Sequence, residues 1–114
     1  MQIEQQEFSD SILITVGETR IDAAIAIQFK DKVRDLAGDT HARVVLEMSK
    51  VEFLDSSGLG ALVAAMKQLG PTRQLELACL TPTVEKVFKL TRMDTVFKIH
   101  PSAGSAIREL AHAS

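Results

Sequence analysis

Two hydroxyls and a carboxylate stand together in Asp55-Ser56-Ser57-Gly58-Leu59-Gly60, the stretch of this sequence best equipped for chemistry. A serine nucleophile for hydrolysis would need a Gly-x-Ser-x-Gly elbow, and Leu54-Asp55-Ser56-Ser57-Gly58 lacks the first glycine. It would also need a base. Of the three histidines, His41 precedes a strand pattern, His100 ends one, and His112 falls near the end of the sequence, so each reads as a surface residue. No Gly-x-x-x-x-Gly-Lys loop is present for ATP, and no set of His, Cys or carboxylates has metal-ligand spacing. The expectation is a chain that is not an enzyme and needs no cofactor.

What remains for Ser56 is the role of acceptor. A phosphoryl group on it would carry roughly −1.5 to −2 charges. At the first turn of a helix, free N–H groups and the positive end of the dipole tolerate such an anion. The fold would survive while the outward surface, already acidic at Asp55, became strongly anionic. That combination suits a reversible block on protein docking. The plainest alternative is that Asp55 or Ser56 serves only as an N-cap, since Asp and Ser lead the preferences for that position. Two glycines in the first turn each weaken the helix by roughly 1 kcal/mol relative to alanine, which implies that another backbone or a bulky ligand comes close there.

The elements that must present this segment are legible in outline. With 114 residues and no internal repeat, the chain reads as one domain over residues 1–114. Residues 2–8 and 11–16 read as two strands turning at Ser9-Asp10, the second rich in β-branched residues. Gly17 to Arg20 reads as a connection. Asp22 reads as the cap of a helix to Gly38 with Ile25, Phe29, Val33 and Leu36 as its stripe. Ala42–Met48 is a strand buried on both faces, and a helix runs from Ser56 to Leu69 with Leu59, Leu62, Val63 and Met66 inward. Strand Gln74–Leu80 precedes a helix capped by Thr81 with Pro82 in its first turn. Its inner face is Val84, Val87, Phe88 and Thr91. A short strand at Val96–Ile99 and a last helix carrying Ala106, Ile107, Leu110 and Ala111 complete the pattern. This ββαβαβαβα order implies an α/β fold, with a mixed β-sheet of four to five strands and about four packed helices.

The bulk numbers exclude several partners. Net charge is −2, no basic cluster forms, and neither Trp nor Tyr is present for base stacking, which argues against nucleic acid. No apolar run approaches the ~20 residues of a membrane span. The polar start Met1-Gln2-Ile3-Glu4-Gln5-Gln6-Glu7 is unlike a secretory signal. The lone Cys79 reads as a small buried hydrophobe in a strand, compatible with a reducing compartment. A cytoplasmic setting and a protein partner are the expectation.

Phe53-Leu54-Asp55-Ser56-Ser57-Gly58-Leu59-Gly60-Ala61-Leu62 resembles the phosphorylation loop of the STAS domain family, specifically the bacterial anti-anti-sigma factors (anti-sigma-factor antagonists). Arg20-Ile21-Asp22-Ala23-Ala24, the Leu75–Leu80 strand with the following Thr81–Phe88 helix, and Thr91–Phe97 are similar to later and earlier family segments in the right order. The resemblance implies a partner-switching protein. Unphosphorylated, it would bind an anti-sigma factor of the GHKL serine kinase type. That kinase would phosphorylate Ser56 with ATP and Mg²⁺, ending the interaction, and a PP2C-type phosphatase would restore it. On this view Asp22, Asp55, Ser57, Gly58 and Leu59 shape the docking surface. Thr19 departs from the glycine frequent in the family, and Gly70-Pro71 from a glycine pair. The resemblance also leaves room for an unphosphorylated STAS scaffold or accessory subunit of a transport or signalling complex.

Overall fold

A computed structural model describes residues 1–8, 10–39 and 42–106. Strands β1 (Ile3–Glu7), β2 (Ser11–Val16) and β3 (Arg20–Ile21) lead into helix α1 (Ala26–Ala37). β4 (Arg43–Glu47), β5 (Phe53–Leu54) and α2 (Ser56–Leu69) follow. Then come β6 (Gln74–Ala78), α3 (Pro82–Leu90), a 3₁₀ turn at Met93–Thr95 and β7 (Lys98–His100). The main sheet has the order β1-β2-β4-β6-β7. β2, β4, β6 and β7 are parallel, and β1 is antiparallel on the edge. The α/β class and the five-stranded mixed sheet agree with the sequence pattern.

Both faces of the sheet are buried. On one, Ile12, Ile14, Val44, Leu46, Leu75 and Leu77 share a core with Phe29 and Val33 of α1, Leu62 and Leu69 of α2, and Val84 and Phe88 of α3. On the other, Leu13, Val45 and Ala78 pack with Ala106, where a helix opens at residues 103–106. Ile107, Leu110 and Ala111 of the anticipated last helix, together with His41 and His112, lie outside the described residues.

Several boundaries differ from the sequence reading, each for a physical reason. α1 begins at Ala26 rather than after Asp22. The Asp22 side chain instead accepts the Ala24 N–H at 3.0 Å, and its carbonyl accepts from Ile25 and Ala26, closing a turn before the helix proper. The inner faces of α1 and α2 also use small residues. Ala26 and Ala37 are buried alongside Phe29 and Val33 on α1, and Gly58, Ala61 and Ala65 alongside Leu62 and Leu69 on α2. Leu59, Val63 and Met66 sit only half-buried at the margin, because small side chains let the two helices approach closely. Thr81 caps α3 as anticipated, with Oγ1 accepting the Val84 N–H at 3.4 Å. The last strand begins at Lys98, because the 3₁₀ turn occupies Met93–Thr95.

Two polar residues are misplaced by the sequence reading. His100 is 5% exposed rather than on the surface: its Nε2 lies 2.6 Å from Glu76 Oε1. An ionised carboxylate only accepts, so Nε2 carries the proton. Glu76 also receives Nε and Nη2 of Arg43 in a two-pronged pair, with Nε at 2.6 Å. Burial pushes the Glu76 carboxyl up, but the hydrogen bonds and charges of Arg43 and His100 outweigh it and hold it below the usual glutamate range. Cys79 stands just past β6 rather than within it, half-buried at φ 62°. Its Sγ accepts the Ala103 N–H at 3.1 Å, and burial pushes the thiol up.

Candidate functional site

β3 and β5 form a two-stranded parallel ledge apart from the main sheet, with Arg20 opposite Phe53 and Ile21 opposite Leu54. Period-two alternation turns Ile21 and Leu54 inward, where both are buried, and leaves Arg20 and Phe53 outward. Each chain then runs off the ledge into an acid: Asp22 after Ile21, Asp55 after Leu54. The pairing therefore brings together two acids 33 positions apart in the chain.

Asp55 is extended (φ −97°, ψ −175°) and is the N-cap of α2. Its Oδ1 accepts the Gly58 N–H at 2.9 Å, and its carbonyl accepts from Leu59 at 2.9 Å. The capping expectation for this corner thus falls on Asp55, which frees the next two residues from that duty. Ser56 and Ser57 occupy the first two helical positions, where N–H groups have no partner within the helix. Both side chains are exposed, and neither hydroxyl makes a hydrogen bond among the described residues.

The two first-turn glycines have opposite surroundings. A Cβ on Gly58 would lie 2.0 Å from the Ile21 carbonyl oxygen and 2.8 Å from Leu54 Cδ1. Gly58 is where the ledge presses against the helix, so it is buried and holds the corner together from below. A Cβ on Gly60 would meet nothing within 4 Å. Gly60 lies on an open groove of about 210 Å³ between α1 and α2, shared with Ser57, Ala26, Ile27 and Lys30. Ile27 is 70% exposed there, an apolar side chain left in water beside the helix start.

Of the residues singled out from sequence, Asp22, Asp55, Ser56 and Ser57 come together at the start of α2, the serines exposed and the two acids half-buried. Gly58 lies beneath them, and Leu59 is half-buried against the core. Arg20, Phe53, Ile27 and Lys30 were not anticipated as members. The Arg20 guanidinium carbon stands 4.1 Å from the centre of the Phe53 ring, while its Nε is 3.4 Å from Asp22 Oδ2. Two-residue strands are too short to produce a periodic signal, so nothing in the sequence pairs Arg20 with Phe53. Among the described residues, no group of three or more His, Cys, Asp or Glu could hold a metal. No helix there is long and apolar enough to cross a membrane.

A family model described as STAS domain matches residues 3–106, a span that takes in the ledge, the α2 corner and the whole described sheet. The chain belongs to the STAS domain family. A Thermotoga maritima protein provisionally named as an anti-sigma factor antagonist is 28% identical over 104 residues, covering 89% of this chain and 91% of that protein. Among solved structures, an anti-sigma factor antagonist from Mycobacterium paratuberculosis shares the STAS fold with a TM-score of 0.82. Identity is 23%, with 95% of this chain and 92% of that one covered. The anti-sigma factor antagonist SpoIIAA, in its unphosphorylated form, superposes with a TM-score of 0.76 at 20% identity, covering 97% of each chain. The Bacillus SpoIIAA structure in the phosphorylated form gives 0.70 at 18% identity, covering 96% of this STAS chain and 99% of that one.

Proposed function

We propose that this STAS domain is an anti-sigma factor antagonist that switches partners through phosphorylation of Ser56. The observation that carries this reading is an exposed hydroxyl without a hydrogen-bond partner among the described residues, on the first residue of a 14-residue helix whose cap is already supplied by Asp55. The names of the relatives give it a partner class, an anti-sigma factor. Existence of a phosphorylated form of SpoIIAA gives it a chemistry.

In the unmodified state the acidic corner, the exposed Phe53 and the groove beside Ile27 form a docking surface for an anti-sigma factor of the GHKL serine kinase type. Phosphorylation joins Ser56 Oγ to the γ-phosphorus of ATP as the bond to ADP breaks, the hydroxyl proton passing to a base on the kinase. The new dianion sits at the positive end of α2 beside the unpartnered N–H groups, an interaction typically worth ~0.3–1 kcal/mol at an exposed site. The fold therefore keeps its stability while the partner meets two added negative charges beside Asp22 and Asp55. A PP2C-type phosphatase resets the cycle. The setting is cytoplasmic and the STAS chain itself contributes no catalysis.

Incubation with the cognate kinase and MgATP, followed by intact mass and fragmentation, tests this reading. One phosphoryl group on Ser56, absent in Ser56→Ala, is expected. No gain of mass, or a gain that survives Ser56→Ala, contradicts it. A constitutive STAS scaffold predicts instead that the chain co-purifies with transporter or signalling subunits and never gains phosphate.

A further inference from the structure

The β3–β5 ledge carries one cation, Arg20, and its placement is unusual for a surface arginine. It is held by two weak partners at once, a carboxylate at 3.4 Å and an aromatic face at 4.1 Å. Its side chain remains 59% exposed, and the Asp22 carboxylate it touches is 26% exposed. An exposed ion pair of this kind contributes roughly 0–1 kcal/mol, and an exposed cation–π contact roughly 0.5–1 kcal/mol, so neither holds the guanidinium firmly. The backbone is much better fixed. The Ile21 carbonyl oxygen would lie 2.0 Å from a Gly58 Cβ, so the residue after Arg20 packs against the first turn of α2, while Arg20 itself pairs with Phe53.

We propose that Arg20 is the phosphate-reading residue of the switch: on modification of Ser56 its guanidinium leaves the Asp22 carboxylate and the Phe53 ring and pairs with the phosphoryl oxygens. The inference rests on Ser56 being the acceptor and adds what the modification does next. A dianion offers the planar guanidinium a two-pronged, charge-assisted pair in place of one long contact to a monoanion. The move bares the Phe53 ring and releases Asp22, so the docking corner changes in shape and charge distribution as well as in net charge. Arg20 is thus a positioning residue, and the energy difference between its two sets of partners biases the corner toward the non-docking arrangement.

Phosphoserine installed at position 56 during translation separates this proposal from the existence of a kinase. The phosphate's second ionisation is then followed by ³¹P NMR titration. The charged groups around the corner are Arg20 of the ledge, Asp22 and Asp55 just after its two strands, and Lys30 from the facing helix α1. With Arg20 present, the apparent pKa is expected to lie lower than in Arg20→Gln by roughly half a unit or more, the direction set by an adjacent cation. Arg20→Lys, which keeps the charge without the fork, should fall between them. Asp22→Asn should lower the value further by removing the competing carboxylate. Arg20 is exposed and Asp22 and Lys30 are half-buried at the surface, and unchanged circular dichroism confirms that each variant folds. Identical titrations for the parent and Arg20→Gln, or a shift abolished by Lys30→Gln instead, would overturn the assignment. Either result leaves the mass-spectrometric test of Ser56 phosphorylation standing on its own.

Discussion

Two of the arginine–carboxylate pairs among the described residues sit under opposite conditions. Arg43 grips Glu76 through two nitrogens, with Nε at 2.6 Å, and the carboxylate is 1% exposed with His100 on its other side. Arg20 reaches Asp22 through one nitrogen at 3.4 Å, with most of its length in water. The chemistry of the partners is the same; the surroundings are not. In a low-dielectric interior, an unpaired charge is costly and a satisfied network fixes one arrangement. Among the described residues, no buried side-chain nitrogen or oxygen lacks a partner. At the surface the same ion types interact weakly and exchange partners readily. The interior pair therefore serves the fold, and the exposed pair is free to change partners.

The largest effect is expected at Glu76. Glu76→Ala leaves Arg43 and His100 facing a buried void, and loss of one partner of a buried pair typically costs about 3–5 kcal/mol. Chemical denaturation should show a fall of that order, whereas Asp22→Ala should change stability by no more than ~1 kcal/mol. Equal losses at the two sites would erase the distinction.

Glycine substitutions give the next largest effect and probe the corner itself. Gly58→Ala drives a methyl into the Ile21 carbonyl, and should cost at least the ~1–3 kcal/mol typical of overpacking. Gly60→Ala meets open space within a helix, so it should raise stability by up to about 1 kcal/mol. Thermal melts of the two variants should move in opposite directions.

Acid titration sharpens the same contrast. The folded Glu76 carboxyl titrates below its ordinary value of about 4.3, so its contribution is fully present above that pH and is lost as pH falls toward the folded value. Glu76→Gln should flatten this part of the stability profile. The smallest effect belongs to Arg20→Gln, expected within about ±0.5 kcal/mol in the unmodified protein. A larger loss would mean that the exposed arginine is structural after all.

How much of this was readable in the chain depended on element length and on which contacts are local. The long strands and α2 declared themselves through apolar runs, and the Thr81-Pro82 start of α3 through its capping chemistry. The capped start of α2 was legible because Asp55, Ser56 and Gly58 are neighbours in sequence. Arg20 and Phe53 escaped notice because a two-residue strand has no period and its partner lies across the chain. Glu76 and His100 were obscured for a related reason. A charge in the apolar run Leu75–Leu80 reveals its partners only when β4, β6 and β7 are aligned side by side. The onset of α1 was misjudged because Asp22 looks like a helix cap, yet it closes a turn one step earlier.

The central claim is that a negative charge at Ser56 is harmless to the fold and hostile to the partner. Calorimetric titration of the anti-sigma factor with the unmodified and the phosphoserine-56 chains, alongside melting curves of both, measures the two halves together. Melting temperatures within a few degrees of each other are expected, with an affinity lowered at least tenfold, about 1.4 kcal/mol, by the phosphate. Equal affinities for the two forms, or a phosphorylated chain that no longer folds, would contradict it.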